Sequence, residues 1–230
     1  MKYVFVTGAP GSRWGRLEYL LREQSNIVDD SGWMPFLQDN PDNLTTHVHK
    51  FFGPYQQHGD RFDVLHILGR TAIFDELERA FDSNSTGQVR FVRCHWFAYQ
   101  LDWIAENLPE VDILLMFRES NMCYNWWHES GGWDIQYPSY KWYGDSEKMR
   151  RQITLENECM IQFMRKHRLP MNYSMYDANK WIETNWPEWI PHLPKDTDWY
   201  ENFTQRHLQE SNDKTLWPVL YRGTQSASFD

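Results

Sequence analysis

The chain alternates short apolar runs with stretches of helical periodicity. Tyr3-Val4-Phe5-Val6 is an apolar, β-favouring run of the kind that forms a central parallel strand. Thr7-Gly8-Ala9-Pro10-Gly11-Ser12 breaks it, and Trp14, Leu17, Leu20 and Leu21 then fall on one side of a helix. The stretch 88–94 reads as a second core strand, ending at His95. The stretch 97–107 has helical periodicity through Leu101, Ile104 and Ala105, and stops at Pro109. The strongest apolar strand is 111–117, ending at Arg118. A helix is expected from about Ser120 to Glu129, closed by Gly131-Gly132, and a long one over 146–167 with Met149, Ile153, Met160, Phe163 and Met164 on its apolar side. Lesser expectations are strands at 47–52, 62–68 and 171–175, helices at 71–81, 179–185 and 199–209, and an aromatic loop over 133–144.

Strands alternating with helices predict an α/β fold, a central and mainly parallel sheet flanked by helices. No composition break or repeat divides the chain, so a single domain over 1–230 is expected. Ligands of such sheets bind beyond the carboxyl ends of the strands. The glycine loop after Val6, His95 and Arg118 each follow a strand, so all are expected at one edge. A glycine-containing loop at a helix start offers backbone N–H groups and the positive end of the helix dipole to an anion. The competing reading of that loop is a tight turn that holds nothing.

Composition narrows the partners. The 230 residues carry a net charge of −9, which argues against a broad grip on nucleic acid or on an anionic membrane. Any anion site is therefore a local cluster in an acidic protein. Aromatic residues reach 17%, with 13 tryptophans, which suits either an aromatic core or a cleft for sugars and planar groups. The three cysteines, Cys94, Cys123 and Cys159, are far apart, which points to a reducing compartment rather than a disulfide framework or zinc site. With a strand beginning at Lys2 and no long apolar run, no signal peptide or membrane span is expected, and the location expected is cytoplasmic.

In Gly8-Ala9-Pro10-Gly11-Ser12-Arg13-Trp14-Gly15, Arg13 and Trp14 stand where a nucleotide-kinase loop has Gly and then Lys. The loop thus fits a phosphate-like group better than ATP with magnesium. Together, VFVTGAPGSRWGRLEYLL, VRFVRCHWFAYQLDWIAENLP and VDILLMFRESNMCYNWW resemble, in order and spacing, three stretches of the sulfotransferases that use 3′-phosphoadenosine 5′-phosphosulfate (PAPS).

The resemblance implies the P-loop-like sulfotransferase architecture and a role for each matching residue. The Pro10–Gly15 loop (Pro10, Gly11, Ser12, Arg13, Trp14, Gly15) would hold the 5′-phosphosulfate, chiefly through the amides from Gly11 onward. Arg13 would stabilise charge on the bridging oxygen. Arg118 would clamp the 3′-phosphate. His95 would be the general base. Ser120 is the nearest hydroxyl for a family serine whose usual place holds Trp126, and Arg222-Gly223 matches a C-terminal segment that also contacts the 3′-phosphate.

The implied reaction moves a sulfuryl group to a hydroxyl or amine on a small-molecule or carbohydrate acceptor, with no metal. It works by positioning and electrostatics, with a histidine suited to accept a proton near neutral pH. The alternatives are a degenerate P-loop kinase of nucleotides or small molecules, and an inactive nucleotide-binding protein of the same fold.

Overall fold

The computed structural model describes residues 1–12, 65–79, 81, 88–129, 145–171 and 216–223. The first apolar run forms β1 (Lys2–Thr7), with Val4, Phe5 and Val6 fully buried. A strand that is apolar on both faces has to lie inside a sheet covered on both sides, and β1 does. The other described elements follow in order: α1 (Leu65–Arg79), β2 (Val89–Arg93), a 3-10 turn (His95–Tyr99), α2 (Leu101–Asn107), β3 (Asp112–Arg118), α3 (Ser120–Glu129), α4 (Ser146–Lys166) and β4 (Leu216–Tyr221).

Among the described residues the sheet has 4 strands in the order β2-β1-β3-β4. β1 pairs in parallel with β2, Val6 opposite Arg93, and with β3, Thr7 opposite Leu115. β4 runs antiparallel to β3, with Leu216 opposite Arg118 and Tyr221 opposite Ile113. The sheet is thus mixed rather than all parallel. The chain leaves β1 for a neighbour on one side, then crosses to the other side for β3. That reversal is a topological switch point at the carboxyl end of β1, the place where open α/β sheets bind ligands.

The main core lies between the sheet and α4. Phe5 stacks on Phe97 at 4.4 Å with rings within 4° of parallel, and Met160, Phe163 and Met164 of α4 join Ile113 and Leu115 over them. A second cluster of Ala9, Cys123, Tyr124, Trp127, Met149 and Ile153 pins the loop after β1 to α3 and to the first half of α4. Helix α4 begins at Asp145, whose side chain accepts from the Lys148 amide at 2.8 Å, and its last turn carries Arg165 and Lys166 where the dipole favours cations.

Some expectations change. Residues 65–68, read as part of a strand, are the start of α1, which is kinked at Gly69 with φ 72. Apolar runs this short do not distinguish strand from helix, and here the helix won. Strand β4 had no sequence signal because Pro218 sits in it. A proline is tolerated because β4 is the last strand in the described order, where one backbone edge needs no ladder bond. The expectations at 47–52, 133–144, 179–185 and 199–209, and the residues Arg13, Trp14 and Gly15, lie outside the described residues, as does 172–175. Among the described residues, no helix is long and apolar enough to cross a membrane.

Candidate functional site

The loop after β1 is held by backbone geometry. The Ser12 amide donates to the Ala9 carbonyl at 2.9 Å, closing a turn, and Gly11 adopts φ 80, a left-handed conformation open to glycine. The loop also lies against the backbone of α3. A Cβ on Gly11 would come within 3.0 Å of Trp127 Cβ and far closer to the Cys123 carbonyl. At Gly8 a Cβ would meet Ser12 Oγ at 2.6 Å and the Met116 carbonyl at 2.8 Å. The two glycines let one loop pack between the ends of β1, β3 and α3.

Both flanking strands deliver a side chain to that loop. His95, buried at the start of the 3-10 turn, places Nδ1 2.6 Å from the Gly8 carbonyl oxygen. A carbonyl oxygen accepts and never donates, so Nδ1 carries the proton, and in the neutral ring Nε2 keeps the lone pair. Thr7 Oγ1 donates to the His95 carbonyl at 3.3 Å, which fixes the turn's start. On the other side Arg118, also buried, donates from Nη1 to the Gly11 carbonyl at 3.0 Å. His95 and Arg118 are thus gathered on one short loop at the carboxyl edge of the sheet.

Helix α4 underlies this loop with polar residues that sequence reasoning passed over. Asn157 donates from Nδ2 to the Arg118 carbonyl at 2.8 Å and to Ser120 Oγ at 3.0 Å, tying the end of β3 to the start of α3. Cys123 Sγ donates to the same carbonyl at 3.3 Å, and burial pushes the Cys123 thiol up to about 12. Glu156 lies 3.4 Å from His95 Nδ1 through Oε2, while its Oε1 accepts from Gln152 Nε2 at 2.7 Å. Gln152 Nε2 also reaches the Tyr99 hydroxyl at 2.6 Å. Burial, and next the Glu156 charge, raise the Tyr99 phenol well above its usual range. The overlooked signal was positional. Glu156 and Asn157 fall between Ile153 and Met160 on the apolar stripe of α4, where a polar residue must face inward.

The remaining candidates divide. Ser12 and Ser120 are at the site. The Ser12 hydroxyl is buried without a hydrogen-bond partner among the described residues, whereas its amide is already used in the turn. Ser12 therefore offers its side chain, not the N–H expected of it. Pro10 has no N–H, and its part is to shape the loop. Arg222 and Gly223 are elsewhere. Arg222 Nη1 pairs with Asp112 Oδ2 at 2.9 Å, and the Gly223 amide donates to Asp112 Oδ1 at 3.0 Å, with Lys2 Nζ 2.7 Å from Oδ2.

Asp112 opens β3 and Arg118 closes it, so the two clusters stand about 20 Å apart at a strand rise of about 3.3 Å per residue. The antiparallel course of β4 carries Arg222 and Gly223 to the amino edge. Their expected share in a common anion site with Arg118 is corrected accordingly. Arg222, with Lys2, neutralises the buried Asp112 carboxylate, and the Gly223 amide hydrogen-bonds it.

Among the described residues, no group of three or more His, Cys, Asp and Glu side chains is gathered to hold a metal. No family model matches the chain, and no curated protein matches it.

Proposed function

We propose that the chain is a sulfotransferase with the P-loop-like architecture, moving a sulfuryl group from PAPS to a hydroxyl or amine acceptor. One observation carries the reading: the histidine and the arginine from two different strands both hydrogen-bond to carbonyls of the same glycine loop, Gly8 and Gly11. The groups around that loop suit an anion. Arg118 is a fixed cation with planar donors, and the buried Ser12 hydroxyl has a proton to give and no acceptor among the described residues. Ser120 Oγ already accepts from Asn157, which leaves its own O–H to donate.

When bound, PAPS would supply an activated sulfuryl group for transfer to the acceptor oxygen or nitrogen. His95 removes the acceptor's proton through Nε2. Arg118, Ser12 and Ser120 would hold the anionic leaving group, the nucleotide, and offset its negative charge. Net acidity makes the cluster local and favours a small or carbohydrate acceptor over a polyanionic chain.

Calorimetric titration with 3′-phosphoadenosine 5′-phosphate, against ADP and against ATP with Mg²⁺, tests the reading. Preference for the 3′-phosphorylated nucleotide is the expected result. Preference for ATP with Mg²⁺ would transfer the site to a kinase. Nucleotide binding without sulfuryl transfer to any hydroxyl or amine tried would leave an inactive binder.

A further inference from the structure

We infer that Glu156 is a positioning residue for His95. It joins the Gly8 carbonyl in facing the protonated Nδ1 and balances the charge that forms when the other nitrogen takes a proton. The inference rests on the reading of His95 as the base.

Glu156 is 0% exposed, so it meets no acceptor molecule itself and acts only through a neighbour. Its Oε1 is held by Gln152, while the buried Oε2 makes no hydrogen bond among the described residues and lies 3.4 Å from His95 Nδ1. A carboxylate sealed from water is costly unless a positive or hydrogen-bonding group faces it, and among the described residues its ion-pair partner is His95.

The same Nδ1 is 2.6 Å from the Gly8 carbonyl. Two acceptors around one nitrogen hold the hydrogen there and leave Nε2 as the basic position. When Nε2 takes the acceptor's proton, the ring becomes an imidazolium with a carboxylate against it. This is the logic of a base oriented by a third group, here delivered from a helix behind the sheet. Gln152 sets the rotamer of Glu156, and Asn157, the next residue, holds the Arg118 and Ser120 end. One turn of α4 therefore registers the base against the anion-binding side chains.

The test uses the full chain with labelled histidine. Imidazole nitrogen NMR is recorded where the ring is neutral, and the His95 signals are assigned by their loss in His95→Asn. The wild-type protein is expected to show the Nδ1–H tautomer. Glu156→Gln removes the negative charge facing the ring, while the Gly8 carbonyl still accepts from Nδ1, so the Nδ1–H tautomer is expected to persist. The variant's kcat should fall by on the order of 10²-fold, with little change in acceptor KM or in affinity for 3′-phosphoadenosine 5′-phosphate. Glu156→Asp, which keeps the charge farther away, should fall between.

A wild-type ring in the Nε2–H form overturns the inference, and that spectrum decides even where Glu156→Gln does not fold. An unchanged kcat in Glu156→Gln also overturns it. Sulfuryl transfer retained in full by Glu156→Gln removes the positioning role and leaves the proposed function standing. A wild-type protein with the Nδ1–H ring and no sulfuryl transfer removes the proposed function and leaves only the Glu156–His95 contact standing.

Discussion

Replacing Gly11 by alanine places a methyl group where helix α3 already has backbone. The new Cβ would lie 1.9 Å from the Cys123 carbonyl oxygen, 2.8 Å from its carbon and 3.0 Å from Trp127 Cβ. A carbon and a carbonyl oxygen come no nearer than about 3.3 Å in close contacts, so loop and helix must part by roughly 1.4 Å. The obstacle is main chain, which cannot swing aside as a flexible side chain does. Such overpacking costs about 1–3 kcal/mol. The left-handed φ of 80 adds about 1–2 kcal/mol for a residue with a Cβ.

The sum, about 2–5 kcal/mol, is a large share of the roughly 5–15 kcal/mol that holds a domain folded. Urea unfolding followed by tryptophan fluorescence measures it, with an unchanged slope showing that the transition itself is the same. Gly69→Ala is the control. Gly69 also has positive φ, 72, but a Cβ there meets nothing within 4 Å, so that variant carries backbone strain without the collision. A loss below about 1 kcal/mol for Gly11→Ala would refute the argument that the loop is wedged against α3.

Three more predictions follow from other parts of the structure. Arg118→Ala should weaken binding of 3′-phosphoadenosine 5′-phosphate by about 1.5–3 kcal/mol, the range for a charged hydrogen bond, and unchanged affinity by calorimetry removes Arg118 from the site. Phe97→Ala removes a fully buried ring stacked on Phe5 at 4.4 Å and should cost about 3–5 kcal/mol in urea unfolding; a loss under about 1 kcal/mol would show that the ring is not part of the core. Cys123, held up at about 12 from an ordinary 9.0, favours the neutral thiol in the folded state. Its contribution to stability is complete below pH 9 and is lost as pH rises from there toward about 12. Cys123→Ala should flatten the alkaline fall of stability in that window. In the native wild-type protein at pH 8, mass spectrometry should find Cys123 unalkylated by iodoacetamide until urea exposes it.

Much of the fold was legible because local pattern and tertiary place agree in it. The apolar runs of β1 and β3, the helix over 120–129 and the stripe of α4 are covered by the sheet and by each other as their periodicity requires. His95 and Arg118 were legible as strand-end residues, and their meeting at one loop follows from parallel strands that start from the same side. Glu156 was within reach of the same reasoning, as a charge on an apolar stripe.

The sequence by itself determined β1, β2, β3, α2, α3 and α4, and that His95 and Arg118 stand at strand ends. Those are properties of spacing along the chain, and spacing is local. Only the tertiary structure decided the direction of β4, and with it that Arg222 and Gly223 serve Asp112 at the amino edge rather than an anion at the carboxyl edge. It alone set a helix distant in sequence behind the histidine, bringing Glu156 within 3.4 Å of Nδ1. Strand direction and helix placement are settled by which long-range burial wins, and no window of neighbouring residues contains that competition.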